Sequence, residues 1–197
     1  MMKHWILMLA AALALGGCQS NGGNAEKTVQ AVENQPADVQ EITQRVEEIY
    51  GTVFKEYNRE DSLRNLDQLD DDPGAMGHMQ EFIDNYCSSE WRRLMRQIDE
   101  IDSVNDGQGY WEADFWIMGQ DWHQLSVSDV KVQACTDSEA VVELKLHNFD
   151  AAKPVILKMV KEDGAWRIDD FIDNEVDLDW KQSMQQYVTE ETEKNKK

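Results

Sequence analysis

Residues 153–170, KPVILKMVKEDGAWRIDD, decide the fold class. Val155, Leu157 and Met159 recur every second residue, the period of a strand with one face against a core. Asp163-Gly164 then supplies the residue pair that a two-residue hairpin turn needs, and Trp166 and Ile168 resume the alternation on the return strand. Upstream, Val142, Leu144 and Leu146 alternate with Glu143, Lys145 and His147, and Val130, Val132 and Ala134 form another such run. Leu125 and Val127 are out of phase with Val130, which predicts a bulge near Asp129 or a separate short strand. These runs predict an antiparallel meander of four strands.

Before the meander the period is helical. Val39, Ile42, Val46, Ile49, Val53, Phe54 and Tyr57 fall on one face of a helix starting at Asp38, which pairs with Glu41 as a capping box. Residues 63–74, with Asp67, Asp70, Asp71, Asp72 and Pro73-Gly74, predict a solvated loop, so the acid run reads as charge in water rather than a calcium site. Met79, Phe82, Ile83 and Tyr86 predict a short second helix. Ser88 or Ser89 caps a third, with Trp91, Leu94, Met95, Ile98 and Ile101 inward and Arg92, Arg93 and Arg96 outward. Trp180, Met184, Tyr187 and Val188 predict a last helix from about Glu175. Helices followed by a meander make an α+β domain, its helices packed on one face of a curved sheet. The expected organisation is residues 1–17 as a leader, 18–37 as a tether, 38–174 as the domain and 175–197 as a C-terminal helix and tail.

The chain has 197 residues, with 39 acidic side chains against 19 basic, a formal charge of -20. Acids outnumber bases two to one, which excludes a nucleic-acid partner, because a phosphate backbone is held by clustered Lys and Arg. With 41% apolar residues the body is of globular composition.

At the N-terminus, Lys3 precedes an apolar run from Trp5 to Leu15, too short for a permanent membrane span and in keeping with a secretory signal. Leu15-Gly16-Gly17-Cys18 resembles the lipobox of bacterial lipoproteins. The resemblance implies cleavage before Cys18 and acylation of that cysteine, so that the membrane is a partner through three acyl chains. Gln19 and Ser20 follow, without the aspartate that retains enteric lipoproteins in the inner membrane, so the resemblance favours the outer membrane; its periplasmic side is favoured, with surface exposure the open alternative. The chain from Cys18 onward loses Lys3 and carries 18 basic against 39 acidic residues, net -21.

Three further stretches resemble the YbjP-like bacterial lipoprotein family: Tyr86-Cys87-Ser88, Asp114-Phe115 with Gln120-Asp121-Trp122, and Asp163 to Asp170. The likeness covers about residues 38–174. It implies a cone-shaped, nuclear-transport-factor-2-like or cystatin-like plan, in which helices close one side of a curled sheet around a cavity, and it implies no activity. The C-terminal helix is an addition to that pattern, placed to cover the cavity.

The segment 110–123 holds Trp111, Trp116 and Trp122. Aromatic walls with a few polar groups suit a small-ligand pocket, with Gln120 in its lining, Asp114 and Asp121 as orienting acceptors, and His123 as a base where a carboxylate sets its tautomer. The same rings could instead plug the open end of the sheet. An enzyme using Asp114, Asp121 and His123, a non-catalytic binding module, and an inhibitor or immunity protein steered to a basic envelope enzyme are the three readings. No cofactor or metal is expected. Asp102 to Gly107 matches a calcium loop at its first, fifth and sixth places, but Val104 and Ala113 stand where ligands belong, and His78, His123 and His147 are dispersed. Cys87 and Cys135 remain after Cys18 and are either a disulfide or two buried thiols.

Overall fold

The computed structural model describes residues 36–65, 79–105 and 109–194, so the leader, Cys18, the tether as far as residue 35, the Asp70 to Asp72 run and His78 lie outside the described residues, and the last two residues assigned to the tether, 36 and 37, are helical instead. Helix α1 spans Pro36–Asn65, α2 Met79–Tyr86, α3 Ser89–Asp102 and α4 Trp180–Lys194. Between α3 and α4 lie β1 (Ser126–Cys135), β2 (Glu139–Asn148), β3 (Ala151–Glu162), β4 (Ala165–Asp173) and β5 (Leu178–Asp179). The strands form one antiparallel sheet in the order β1-β2-β3-β4-β5. The α+β arrangement is therefore as the patterning predicts, with five strands instead of four. The extra strand is two residues long, too short to show a period.

The β3–β4 turn has φ of 51° at Asp163 and 80° at Gly164, the paired left-handed conformations of a hairpin turn whose twist matches its strands. The register of β1 on β2 breaks between Ser128 and Lys131, where Asp129 has φ 53°, so the phase slip from Val127 to Val130 is a bulge within a single strand. On the inner face Val142, Leu144, Leu146, Val155, Leu157, Met159, Trp166 and Ile168 are buried.

Helix α1 buries Ile42, Val46, Ile49, Tyr50, Val53, Phe54 and Tyr57. It starts two residues before the expected cap, since a proline costs nothing in a first turn whose N–H groups are unpaired anyway. It also continues to Asn65, two turns past its last buried apolar residue, Tyr57, so residues 63–65 of the expected loop belong to the helix. Helix α3 is capped by Ser88, whose hydroxyl accepts from the Trp91 N–H at 3.0 Å. Helix α4 begins at Trp180 instead of Glu175, because Asp179 is its cap: Asp179 Oδ1 accepts from the Gln182 N–H at 2.8 Å. Residues 174–177 are the turn before β5.

Cys87 and Cys135 are both buried and are not bonded to each other. Cys87 bridges to Ile168 on the outer side of β4, whereas Cys135 ends β1 at the opposite edge of the sheet. Strands spaced by about 4.8 Å separate the two, against a Cα separation of roughly 4.4–6.8 Å in a disulfide. The disulfide alternative is thus replaced by two packed thiols, and burial pushes both upward in pKa.

Candidate functional site

The loop between α3 and β1 starts from a close approach. A side chain at Gly109 would put its Cβ 2.8 Å from Asp102 Oδ2, the same oxygen that accepts from the Tyr110 N–H at 2.9 Å. The other carboxylate oxygen of Asp102 accepts from the Tyr187 hydroxyl at 2.5 Å, which ties α4 to α3. Asp102 therefore joins three elements, while Asp106 and Gly107 of the calcium-loop likeness lie outside the described residues.

Asp114 and Gly119 exchange backbone hydrogen bonds of 2.8 and 3.2 Å, and Asp114 Oδ1 accepts from the Trp116 N–H at 2.7 Å. This closed turn pushes Phe115, Trp116, Ile117 and Met118 into the core, where all four are buried. Trp116 lies 5.1 Å from Phe171 and 6.1 Å from Tyr50 by ring centroids. Phe115 lies 5.0 Å from Trp91 and 4.9 Å from Phe171. The loop's centre is therefore a plug, and Trp116, one of the predicted pocket residues, belongs to the core.

Its flanks are different. Trp111 is half-buried, stacked 5.9 Å from Trp180 of α4, and lines a cleft of about 650 Å³ with Met79, Ile83, Met95, Asp99 and Glu112. Asp114, Phe115 and Gln120 complete that wall. Gln120 is held by donating to the Glu112 carbonyl at 2.8 Å. Trp122 lines a second, smaller cleft of about 190 Å³ with Tyr57, Phe82 and Asp114. Its indole donates to the Tyr57 carbonyl at 2.9 Å, and the Arg64 guanidinium sits 4.2 Å from its ring centroid.

Asp114 serves both clefts. It accepts a short hydrogen bond from the Tyr57 hydroxyl. Burial raises its pKa, while the bonds from Tyr57 and the Trp116 and Ile117 N–H groups pull it back. Tyr57 is in turn pushed upward by burial and by Asp114, so it stays a neutral donor.

His123 stands apart from Asp114. Its Nδ1 lies 2.8 Å from Asp61 Oδ2 of α1, and it lines a third cleft with Asn58, Ser62 and Gln124. The carboxylate beside the ring is thus Asp61. Asp121 is exposed, and its carbonyl accepts from Asn148 Nδ2 at 2.9 Å. Among the described residues, Asp114 lines the first two clefts and His123 the third, and Asp121 lines none of these three. No family model matches the chain, and no curated protein matches it.

Sequence reading passed over the end of α1. Asn58 donates to the Leu125 carbonyl at 2.9 Å and accepts from the Leu125 N–H at 2.7 Å, so its amide clamps the loop where it enters β1. Asp61 and Arg64 hold His123 and Trp122. These three recur every three residues on one helical face, a periodicity of polar groups rather than apolar ones. Met79, Met95 and Asp99, read earlier as helix packing or not at all, form the cleft opposite Trp111.

Proposed function

We propose that the chain is a lipid-anchored envelope protein whose α+β domain is a non-catalytic binding module, with the cleft beside Trp111 as its binding site. The observation that carries the binding reading is that cleft: an apolar wall of Trp111, Met79, Met95 and Phe115, with the carboxylates of Asp99, Glu112 and Asp114 and the amides of Gln80 and Gln120 around it. The catalytic alternative has less support, since His123 and Asp114 face different clefts. The anchor reading rests on the Leu15-Gly16-Gly17-Cys18 likeness, and the outer-membrane assignment on Gln19 and Ser20. Helices packed on one face of an antiparallel sheet are in keeping with the YbjP-like family and its nuclear-transport-factor-2-like, cone-shaped plan. In that plan residues 115–118 would occupy the cone and leave only its rim for a ligand.

The expected result of metabolic labelling with palmitate is label on the parent chain and none on Cys18→Ser, which partitions into the aqueous phase. Unlabelled parent chain would end the anchor reading. For the binding module, a ligand that perturbs Trp111 should do so equally in the parent and in a chain starting at residue 32, and should fail in Trp111→Ala.

A second reading, capture of a basic envelope enzyme, is favoured by the β2–β3 hairpin tip. Phe149 is 57% exposed and has φ 52°, a conformation that costs a bulky residue of order 1–3 kcal/mol. Exposed Asp121 and Asp150 are close by in the chain or through Asn148. A strained, exposed aromatic on an acidic body suits a docking point for a cationic protein. Capture that weakens with salt and is lost in Phe149→Ala supports this reading; capture indifferent to both counts against it.

A further inference from the structure

We infer that the third cleft is a chemically reactive site, at which His123 Nε2 accepts an acyl group from a small ester or carbonate. The inference stands apart from the binding-module reading, because this cleft shares none of its described lining residues with the one beside Trp111. It asks for a single acylation of the chain and no turnover, so it adds to a non-catalytic module.

His123 is fixed through every polar group but one. Its N–H donates to Asn148 Oδ1 at 3.0 Å, its carbonyl accepts from the Phe149 N–H at 3.0 Å, and Nδ1 meets Asp61 Oδ2 at 2.8 Å. The clamp of Asn58 on Leu125 holds the chain further along the same loop. A carboxylate accepts, so Nδ1 carries the proton, and in the neutral ring Nε2 keeps a lone pair that no described residue engages. The His123 side chain is 42% exposed and that of Asp61 only 13%, which leaves the ring within reach of a reagent and its supporting carboxylate shielded. Gln124 has φ 51°, and Phe149, whose ring lies 5.9 Å from the imidazole, has φ 52°. Left-handed conformations at residues with a Cβ gather at functional sites. His147 is the contrast, since its Nε2 lies 2.8 Å from Ser128 Oγ and is engaged.

In the step itself the Nε2 lone pair attacks the carbonyl carbon. Collapse of the tetrahedral adduct breaks the bond to the leaving oxygen, which departs with the electron pair. Asp61 stabilises the acylimidazolium so formed, and the Nδ1 proton then passes through water to the leaving oxygen, so that a neutral acylimidazole and the protonated leaving group are the products. The cleft, of about 380 Å³, admits a small acyl donor.

The test treats the parent chain with diethyl pyrocarbonate and follows each histidine by peptide mass mapping, with N-acetylhistidine as the unsupported imidazole. Nε2 takes the ethoxycarbonyl group, and ethyl carbonate leaves. His123 is expected to react about tenfold faster than His147 and also faster than N-acetylhistidine, a rate that exposure alone does not give. Asp61→Asn should slow His123 about tenfold and leave His147 unchanged, with the thermal midpoint reporting the fold, and Asp61→Glu should recover part of the loss. His123 reacting no faster than His147 or than N-acetylhistidine overturns the inference, whether or not the Asp61 variants fold. A folded Asp61→Asn chain that reacts at the parent rate overturns it as well. Either result leaves the binding-module reading standing, because that reading is tested at Trp111.

Discussion

Residues 115–118 and the flanks of the same loop use the same kinds of residue for opposite purposes. Trp116 is wholly buried against Tyr50 and Phe171, while Trp111 and Trp122 each keep a face beside a cleft. The difference comes from hydrogen bonding, not from hydrophobicity. The Asp114–Gly119 exchange closes a turn that leaves its four central side chains no direction but inward. Trp111 lies before that turn and, among the described rings, meets Trp180, Tyr110 and Phe115, and Trp122 lies after it, tied by its own indole to α1. An aromatic-rich stretch can therefore be plug and pocket wall at once, and the backbone decides which ring does which.

The largest effect that would break this comparison is at the centre. Trp116→Ala should cost about 3–5 kcal/mol in chemical unfolding, the cavity cost of a buried aromatic, whereas Trp111→Ala should cost a fraction of that. Similar losses for the two would put both rings in the core.

A second effect sets the loop against the α4 side of the domain, through pH. Asp170 is buried, accepts from Lys158 at 2.8 Å and from the Lys181 N–H at 3.0 Å, and burial raises its pKa to about 6. Between about pH 4 and 6 the folded protein keeps a proton that the unfolded chain has released. That stabilisation is full below the unfolded value and is lost as pH rises through the folded one. Asp114 shifts in the same direction, and Asp179 in the opposite one. The stability difference between the parent and Asp170→Asn should therefore change across this window by as much as roughly 3 kcal/mol, in the sense that the parent is relatively favoured at the acid end. A flat difference would contradict it.

The clamp at the loop's exit gives a third. Asn58→Ala leaves the Leu125 N–H and carbonyl without their partners and should cost about 1–3 kcal/mol, with faster amide exchange at Leu125. At its entrance, Gly109→Ala drives a Cβ onto Asp102, whose carboxylate must swing away from Tyr110 and Tyr187. A loss of about 1 kcal/mol in chemical unfolding is expected.

The meander was legible because its signals are local. The alternation of Val155, Leu157 and Met159 and the Asp163-Gly164 turn each sit within a few residues and agree with one another. The bulge at Asp129 was legible for the same reason. The start of α4 was not, because residues 174–177 carry no residue that forbids a helix, and only the bond from Gln182 to Asp179 shows where it begins. Of the site, the aromatic segment itself was visible in the sequence, including the choice between plug and pocket. Which ring takes which role depended on pairings 57 to 67 residues apart, Tyr57 with Asp114, Asp61 with His123 and Asn58 with Leu125, and no local pattern encodes those.

The division of one loop into plug and rim is tested most directly by acrylamide quenching of tryptophan fluorescence in the parent chain, Trp111→Phe and Trp116→Phe. Loss of part of the quenchable emission in Trp111→Phe, and its full retention in Trp116→Phe, is the predicted result, because Trp116 is wholly buried and Trp111 is only half-buried beside a cleft. An equal change in the two variants would contradict the account.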